Sequence, residues 1–268
     1  MPPGRLAVTV AGRQEWPEGT FVGGLPEADR VSLLAAGTPV RFDDDQIMLV
    51  QGDSGDFVYV LVGGLVKVVV AAENGAETCL AIRSRGDLVG EFALLDDKPR
   101  TATVRAVGEV TALRVGGGAF LAIARGSWPA RTAVTSYVMG KMRAAVERRA
   151  AERLWDARER LAQVLYELGR ARGEPGPDGT IRIPLTQSDL GDLAGVAVST
   201  AERVLKDLRR QGVVTTRYRE VAIKDMAQLD SIRFPDKASI NPIVRGNVPL
   251  SGPLGSLRTG PTTKRAAG

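Results

Sequence analysis

The sequence predicts an α+β chain: a β-rich first half, a long helix, and a helical second half. Three observations predict it. Between Val40 and Val115, short β-type runs alternate with Gly, Asp and Asn punctuation. From Pro129 onward, apolar residues recur at spacings of three and four. From Leu185 to Val214, a capped helix, a glycine turn and a second, basic helix follow one another in the manner of a helix-turn-helix. A chain of 268 residues with 44% hydrophobic content has room for two packed cores.

In chain order, residues 1–20 read as poorly ordered and 21–128 as one β-domain. Gly24–Leu34 reads as a short helix with Pro26 near its start. The β runs are Gln46–Val50, Phe57–Leu61, Leu65–Ala71, Glu77–Ile82, Thr103–Ala106 and Val110–Val115. Asn74-Gly75 is a hairpin signal between two of them. Many short strands at this spacing suggest a sandwich or jelly-roll barrel. Residues 129–155 form the long helix, with Met139, Met142, Val146, Ala150 and Leu154 in one stripe between charged flanks. That stripe fits packing on its own β-domain, or a two-chain coiled-coil-like interface. Residues 156–228 hold a second helix, Asp156–Arg170, then a Gly/Pro loop, the short β run Ile181–Ile183, the helix-turn-helix and a two-stranded wing. Residues 229–268, rich in Gly, Pro and Ser, read as a disordered basic tail.

Composition excludes several chemistries. The chain has no histidine, which rules out His-ligated zinc, His-bound haem and a Ser-His-Asp triad. One cysteine, Cys79, rules out an internal disulfide and a four-cysteine iron–sulfur cluster. No metal, haem or cluster is therefore expected, nor an enzymatic activity. No apolar run reaches the length of a membrane span, and no signal peptide is expected at the N-terminus, which fits a cytoplasmic protein. The charge of +5 is uneven: residues 1–124 carry 11 Lys/Arg against 16 Asp/Glu, and residues 125–230 carry 19 against 14. The back half is the one suited to a polyanion.

Gly86–Ala106 carries the most chemistry. Glu91 and Arg100 stand nine residues apart between two strand-like runs. The guanidinium fork of Arg100 suits a phosphate. A bare anion site would not keep a carboxylate beside it. A nucleoside cyclic phosphate suits both groups, since its phosphate meets Arg100 and its ribose 2′-OH meets Glu91. Gly90 lets the backbone approach a ligand closely. Glu91–Leu95 is helix-prone, with unpaired first-turn N–H groups. An ordinary surface ion pair in a turn is the plain alternative.

Gly90-Glu-Phe-Ala-Leu-Leu followed by Pro99-Arg-Thr-Ala-Thr-Val resembles the phosphate-binding cassette of cyclic-nucleotide-binding domains. Gln51–Lys67 is similar to the glycine-rich strand-and-turn pattern of the same domains. The resemblance implies that Glu91 holds the ribose 2′-OH and Arg100 the cyclic phosphate. Gly90, Phe92 and Thr101 complete the expected nucleotide site.

In the second half, Thr186 is a good N-cap with Asp189 at the third helical position. Leu190, Leu193 and Ala194 face a core, and Gly195 allows the turn. Val198 or Ser199 opens the next helix, whose Val204, Leu205 and Leu208 are apolar and whose Arg203, Lys206, Arg209 and Arg210 are basic. Asp156–Asp225 resembles the DNA-binding domain of the CRP/FNR superfamily. With both modules in this order, the resemblance spans about residues 20–228. It implies a homodimeric bacterial transcription regulator that binds a near-palindromic operator in double-stranded DNA, responds to cAMP or cGMP, and meets RNA polymerase. Thr186, Val198, Ser199, Thr200, Arg203, Lys206, Arg209 and Arg217 are the expected DNA contacts, with Arg219 a further phosphate candidate. Arg203 suits guanine, Val198 a thymine methyl, and Ser199 a helix cap or phosphate contact. Residues 184–230 hold seven basic and seven acidic groups, so affinity must come from sidedness.

Two positions depart from the family pattern. Ala145 and Val146 stand where the cyclic-AMP receptor protein places adjacent Thr and Ser against adenine, and neither side chain can hydrogen-bond a base. The recognition-helix residues also differ, which implies a different operator. Two other readings stay open: a regulator of this family that needs no nucleotide, and a nucleotide-binding signalling module with a degenerate helix-turn-helix.

Overall fold

A computed structural model describes residues 15–176 and 178–233. The expected disorder of residues 1–14 and of the tail after 233 lies outside the described residues.

The elements run α1 (Phe21–Gly24), α2 (Glu27–Ala35), β1 (Thr38–Phe42), β2 (Ile47–Leu49), β3 (Phe57–Ala71), β4 (Glu77–Ser84), β5 (Leu88–Val89), α3 (Glu91–Asp96), β6 (Thr103–Gly116) and α4 (Gly117–Arg125). Then come α5 (Trp128–Leu154), α6 (Ala157–Arg172), β7 (Glu174–Pro175), β8 (Ile181–Ile183), α7 (Gln187–Ala194), α8 (Val198–Arg210), β9 (Val214–Arg217), β10 (Glu220–Ile223) and α9 (Met226–Arg233). This is the α+β order the sequence predicts: β-domain, long helix, winged helix-turn-helix.

The β-domain is an antiparallel sheet in the order β1-β6-β3-β4, with β2 on β6 and β5 on β3. Two pairs of predicted strands are single long ones. Gly63 and Gly64 lie inside β3, where the register against β6 shifts, and Gly64 has φ 80. A Cβ at Gly64 would stand 2.4 Å from Glu109 O. The glycines bend a continuous strand here and do not end it. The Asn74-Gly75 turn closes β3 onto β4 as expected, with Asn74 Oδ1 accepting the Ala76 N–H at 3.1 Å.

Period-two alternation in β3 explains two cores. Val58 and Val60 face Phe21, Leu33, Phe120, Ala130 and Val134 of the surrounding helices. Tyr59 and Leu61 face Phe42, Leu49, Val89, Val104 and Ala112. A third core joins α6–α8 and the wing, through Leu161, Leu165, Leu190, Leu205, Leu208 and Val221. It also reaches Leu65, Val69, Cys79 and Ile82 of the β-domain.

Helix α5 starts at Ser127, whose Oγ accepts the Ala130 N–H at 3.1 Å, and stops at an extended Trp155. Asp156 then caps α6 in a capping box with Glu159. The inward face of α5 is Ala130, Val134 and Ala144, with Tyr137 and Lys141 reaching the β-domain. Of the predicted stripe, Met139, Met142, Val146 and Leu154 are exposed. The helix therefore packs on its own domain with a different face from the one the periodicity picked out.

Candidate functional site

Gly90 precedes α3 at φ 90, a left-handed conformation that favours glycine. A Cβ there would stand 2.6 Å from Arg100 Nη1 and 3.0 Å from Leu49 Cδ1. Glycine is thus required twice, by backbone angle and by the approach of Arg100. The Arg100 backbone is fixed reciprocally: its N–H donates to Asp53 O at 2.8 Å, and its carbonyl accepts the Gly52 N–H at 2.9 Å. Its side chain is 4% exposed, donates to Gly90 O, and donates from Nη2 to Phe57 O at 2.7 Å. Gly55 leaves the space, since a Cβ there would meet Arg100 Cζ at 2.6 Å. Burial pulls the Arg100 guanidinium below its ordinary value, and Asp56 and Glu91 oppose that pull.

Glu91, the first residue of α3, is 3% exposed. Its partner comes from α5: Lys141 Nζ lies 2.6 Å from Glu91 Oε1 and donates to Leu88 O at 2.9 Å. Burial lowers Lys141 from the ordinary lysine range, and Glu91 opposes this. Tyr137, one turn earlier, accepts the Leu88 N–H at 2.9 Å and lies 3.3 Å from Asp87 Oδ1. Burial, then Asp87, pushes the Tyr137 phenol well up.

Glu91 and Arg100 face one cavity of about 270 Å³. Gly90, Phe92, Thr101 and Ala145 also line it. Four side chains that local sequence reasoning missed join them: Arg83 from β4, and Lys141, Met142 and Arg148 from α5. The cavity thus sets four cations, Arg83, Arg100, Lys141 and Arg148, against Glu91, a balance that suits an anion. Lys141, Ala145 and Arg148 are spaced four and three apart. That spacing beside Ala145 is the signal in the sequence that places Lys141 and Arg148 on the same face. Val146 is not brought to this cavity; it is 69% exposed and lines a smaller one beside α6.

The second candidate surface is α7–α8 and the wing. Thr186 Oγ1 accepts the Asp189 N–H at 3.0 Å, and Asp189 reaches back to the Thr186 N–H at 3.1 Å. Gly195 ends α7 at φ 63. Ala201, Val204, Leu205 and Leu208 are buried, while Val198, Ser199, Arg203, Lys206 and Arg209 are exposed and Thr200 is half-buried. The basic residues are therefore on the outer face. The cap of α8 is Ala197, with no side-chain cap bond. This corrects the expectation that Ser199 serves as a cap, because it lies inside the first turn. Arg209 donates to Thr216 Oγ1 at 3.3 Å, tying α8 to the wing. Arg217 is exposed, and Arg219 pairs with Asp44 of the β-domain at 3.1 Å. Among the described residues, no cluster of acidic or cysteine side chains could hold a metal ion, and no helix is long and apolar enough to cross a membrane.

Two family profiles match the chain. The cyclic nucleotide-binding domain covers residues 39–127, and the Crp-like helix-turn-helix domain covers residues 159–232. The CRP-like cAMP-activated global transcriptional regulator of Mycobacterium tuberculosis is 28% identical over 218 residues, 79% of this chain and 94% of that one. The Cyclic AMP receptor protein of Thermus thermophilus is 31% identical over 189 residues, 69% and 82% of the two chains. A solved CRP-family transcriptional regulator, also from Thermus thermophilus, superposes with a TM-score of 0.62 at 25% identity, covering 72% of this chain and 96% of its own. The c-di-GMP-responsive regulator CLP of Xanthomonas campestris shares the fold, with a TM-score of 0.59 at 17% identity over 75% and 100% of the two chains.

Proposed function

This chain belongs to the CRP/FNR superfamily of cyclic-nucleotide-binding transcription regulators, and from that premise we propose that it is a homodimer whose DNA affinity is set by cAMP. The observation that carries the reading is the shared cavity. Arg100, buried and preset by carbonyls, meets the cyclic phosphate. Glu91 accepts from the ribose 2′-OH. Gly90, Phe92 and Thr101 line the same space. Lys141 pairs with Glu91 and joins it to α5, so occupancy of the cavity is felt by the long helix. Ala145 offers the base a methyl only, so preference for adenine over guanine is weak.

The exposed stripe Met139, Met142, Val146 and Leu154 supports dimerisation through α5. Two copies would present two α8 helices to a near-palindromic operator, where Arg203 reads a base and Lys206, Arg209 and Arg217 meet phosphates. Thr186, Val198, Ser199 and Thr200 border that contact. The nucleotide acts by binding the DNA-competent arrangement better than the other; a tenfold bias needs about 1.4 kcal/mol. RNA polymerase is the expected protein partner and the cytoplasm the expected place.

The test is one titration of labelled genomic fragments with cAMP, with cGMP and with neither. Retention of specific fragments that strengthens with cAMP supports the reading. Equal retention in all three arms would indicate a nucleotide-independent regulator, and no retention a signalling module.

A further inference from the structure

The wing meets the β-domain at a charged point, Arg219 against Asp44, and its groups are set for that contact. Asp43, Asp44 and Asp45 form the turn between β1 and β2. The turn is braced on all sides: Gln46 Oε1 accepts the Asp43 N–H at 2.9 Å, Asp44 Oδ1 accepts the Gly108 N–H at 2.8 Å, and Asp45 pairs with Arg105 at 3.6 Å. Asp44 Oδ2 is left facing Arg219 Nη1 at 3.1 Å. Arg219 sits in the two-residue turn at the wing tip, at φ 53, a left-handed angle uncommon for arginine.

The same face of the second domain is docked at two further places. Asp189 of α7 lies 3.6 Å from Lys67 of β3. Asp192 of α7 accepts the Cys79 N–H at 2.9 Å, beside the register shift in the β3–β4 pair. Cys79, 2% exposed, is covered there together with Leu193 and Ala194.

A carboxylate and a phosphodiester are rival partners for the same guanidinium fork. Asp43 stands beside Asp44 in the same turn, so its carboxylate adds repulsion toward an approaching DNA backbone. We propose that this turn is an internal phosphate mimic. It holds the wing through Arg219 in the DNA-free chain and lowers DNA affinity by competing with the backbone. The proposal rests on the DNA-binding reading above, and its test separates the two.

Asp44→Asn keeps the acceptor for Gly108 and removes the charge. DNA affinity is measured at low salt for the wild type, Asp44→Asn, Arg219→Ala and the double variant. Asp44→Asn tightens binding about two- to fivefold, the range an exposed ion pair supports, and changes nothing in the Arg219→Ala background. Unchanged affinity in Asp44→Asn, or equal tightening without Arg219, overturns the competition. A second readout needs no DNA: the rate at which N-ethylmaleimide alkylates Cys79, which must be uncovered to react. Both single variants speed alkylation about two- to fivefold, and the double variant is no faster than the faster single. Equal rates in all four proteins overturn the clasp. Coupled alkylation without any DNA retention leaves the clasp standing and overturns the DNA reading and the competition with it.

Discussion

The β-domain cavity and the outer face of α8 use charge in opposite ways. In the cavity, Glu91 and Arg100 are buried and Lys141 half-buried, and all three are matched to carbonyls or to each other. On α8, Arg203 and Lys206 stand in solvent on one side of a buried apolar seam. A buried charge works only in one geometry and is costly to strand. An exposed charge is cheap, screened by salt, and acts by sidedness. The cavity should therefore fail abruptly when one group is removed, and the helix face by degrees.

The largest effect tests the cavity. Lys141→Met strands the Glu91 carboxylate and should lower stability by about 3–5 kcal/mol, read by denaturant unfolding; adding Glu91→Gln should restore most of it. An unchanged midpoint would show that water already reaches Glu91. Next, Arg100→Ala should weaken cyclic-nucleotide binding by about a hundredfold or more by calorimetry, as expected when two charge-assisted hydrogen bonds are lost. Unaltered affinity there would falsify the site.

The helix face should lose affinity in smaller steps. Arg203→Ala should cost about 1–3 kcal/mol and relax preference at one base position per half-site. Lys206→Ala should weaken all sequences alike and reduce the salt slope by about one. If both variants behave alike, the split between base and phosphate contacts is wrong. A further effect, confined to alkaline pH, is a pH dependence at the contact between the two halves. Burial, then Asp189 and Asp192, pushes the Cys79 thiol up from 9.0 to about 12. Folding thus favours the protonated thiol; its contribution is intact below pH 9.0 and declines as pH rises toward 12. Unfolding midpoints should fall more steeply over that window in the wild type than in Cys79→Ala.

The helix-turn-helix was legible because its grammar is local. The cap at Thr186, the turn at Gly195 and the buried residues Val204, Leu205 and Leu208 all follow from spacing within one short segment. The cassette glycine and the Glu91–Arg100 pairing were legible for the same reason. What the sequence withheld was long-range. Lys141 meets Glu91 fifty residues away, and Arg83 and Arg148 converge only once β4 and α5 pack. Gly63-Gly64 looks like a break between strands in the sequence, yet in the fold it lies inside β3 at a register shift, and Gly108 lies inside β6 at φ 69. The stripe on α5 was found, but the helix meets its own domain through another face.

The sheet order ends at β4, so that strand has a free margin, and α7 lies along it with Asp192 on the Cys79 N–H. Removing everything after α5 would unmask that margin and the apolar residues Leu65, Val69 and Ile82 together. A truncated sensor half should therefore self-associate by strand addition, and any study of it in isolation would need a substitute cover for β4.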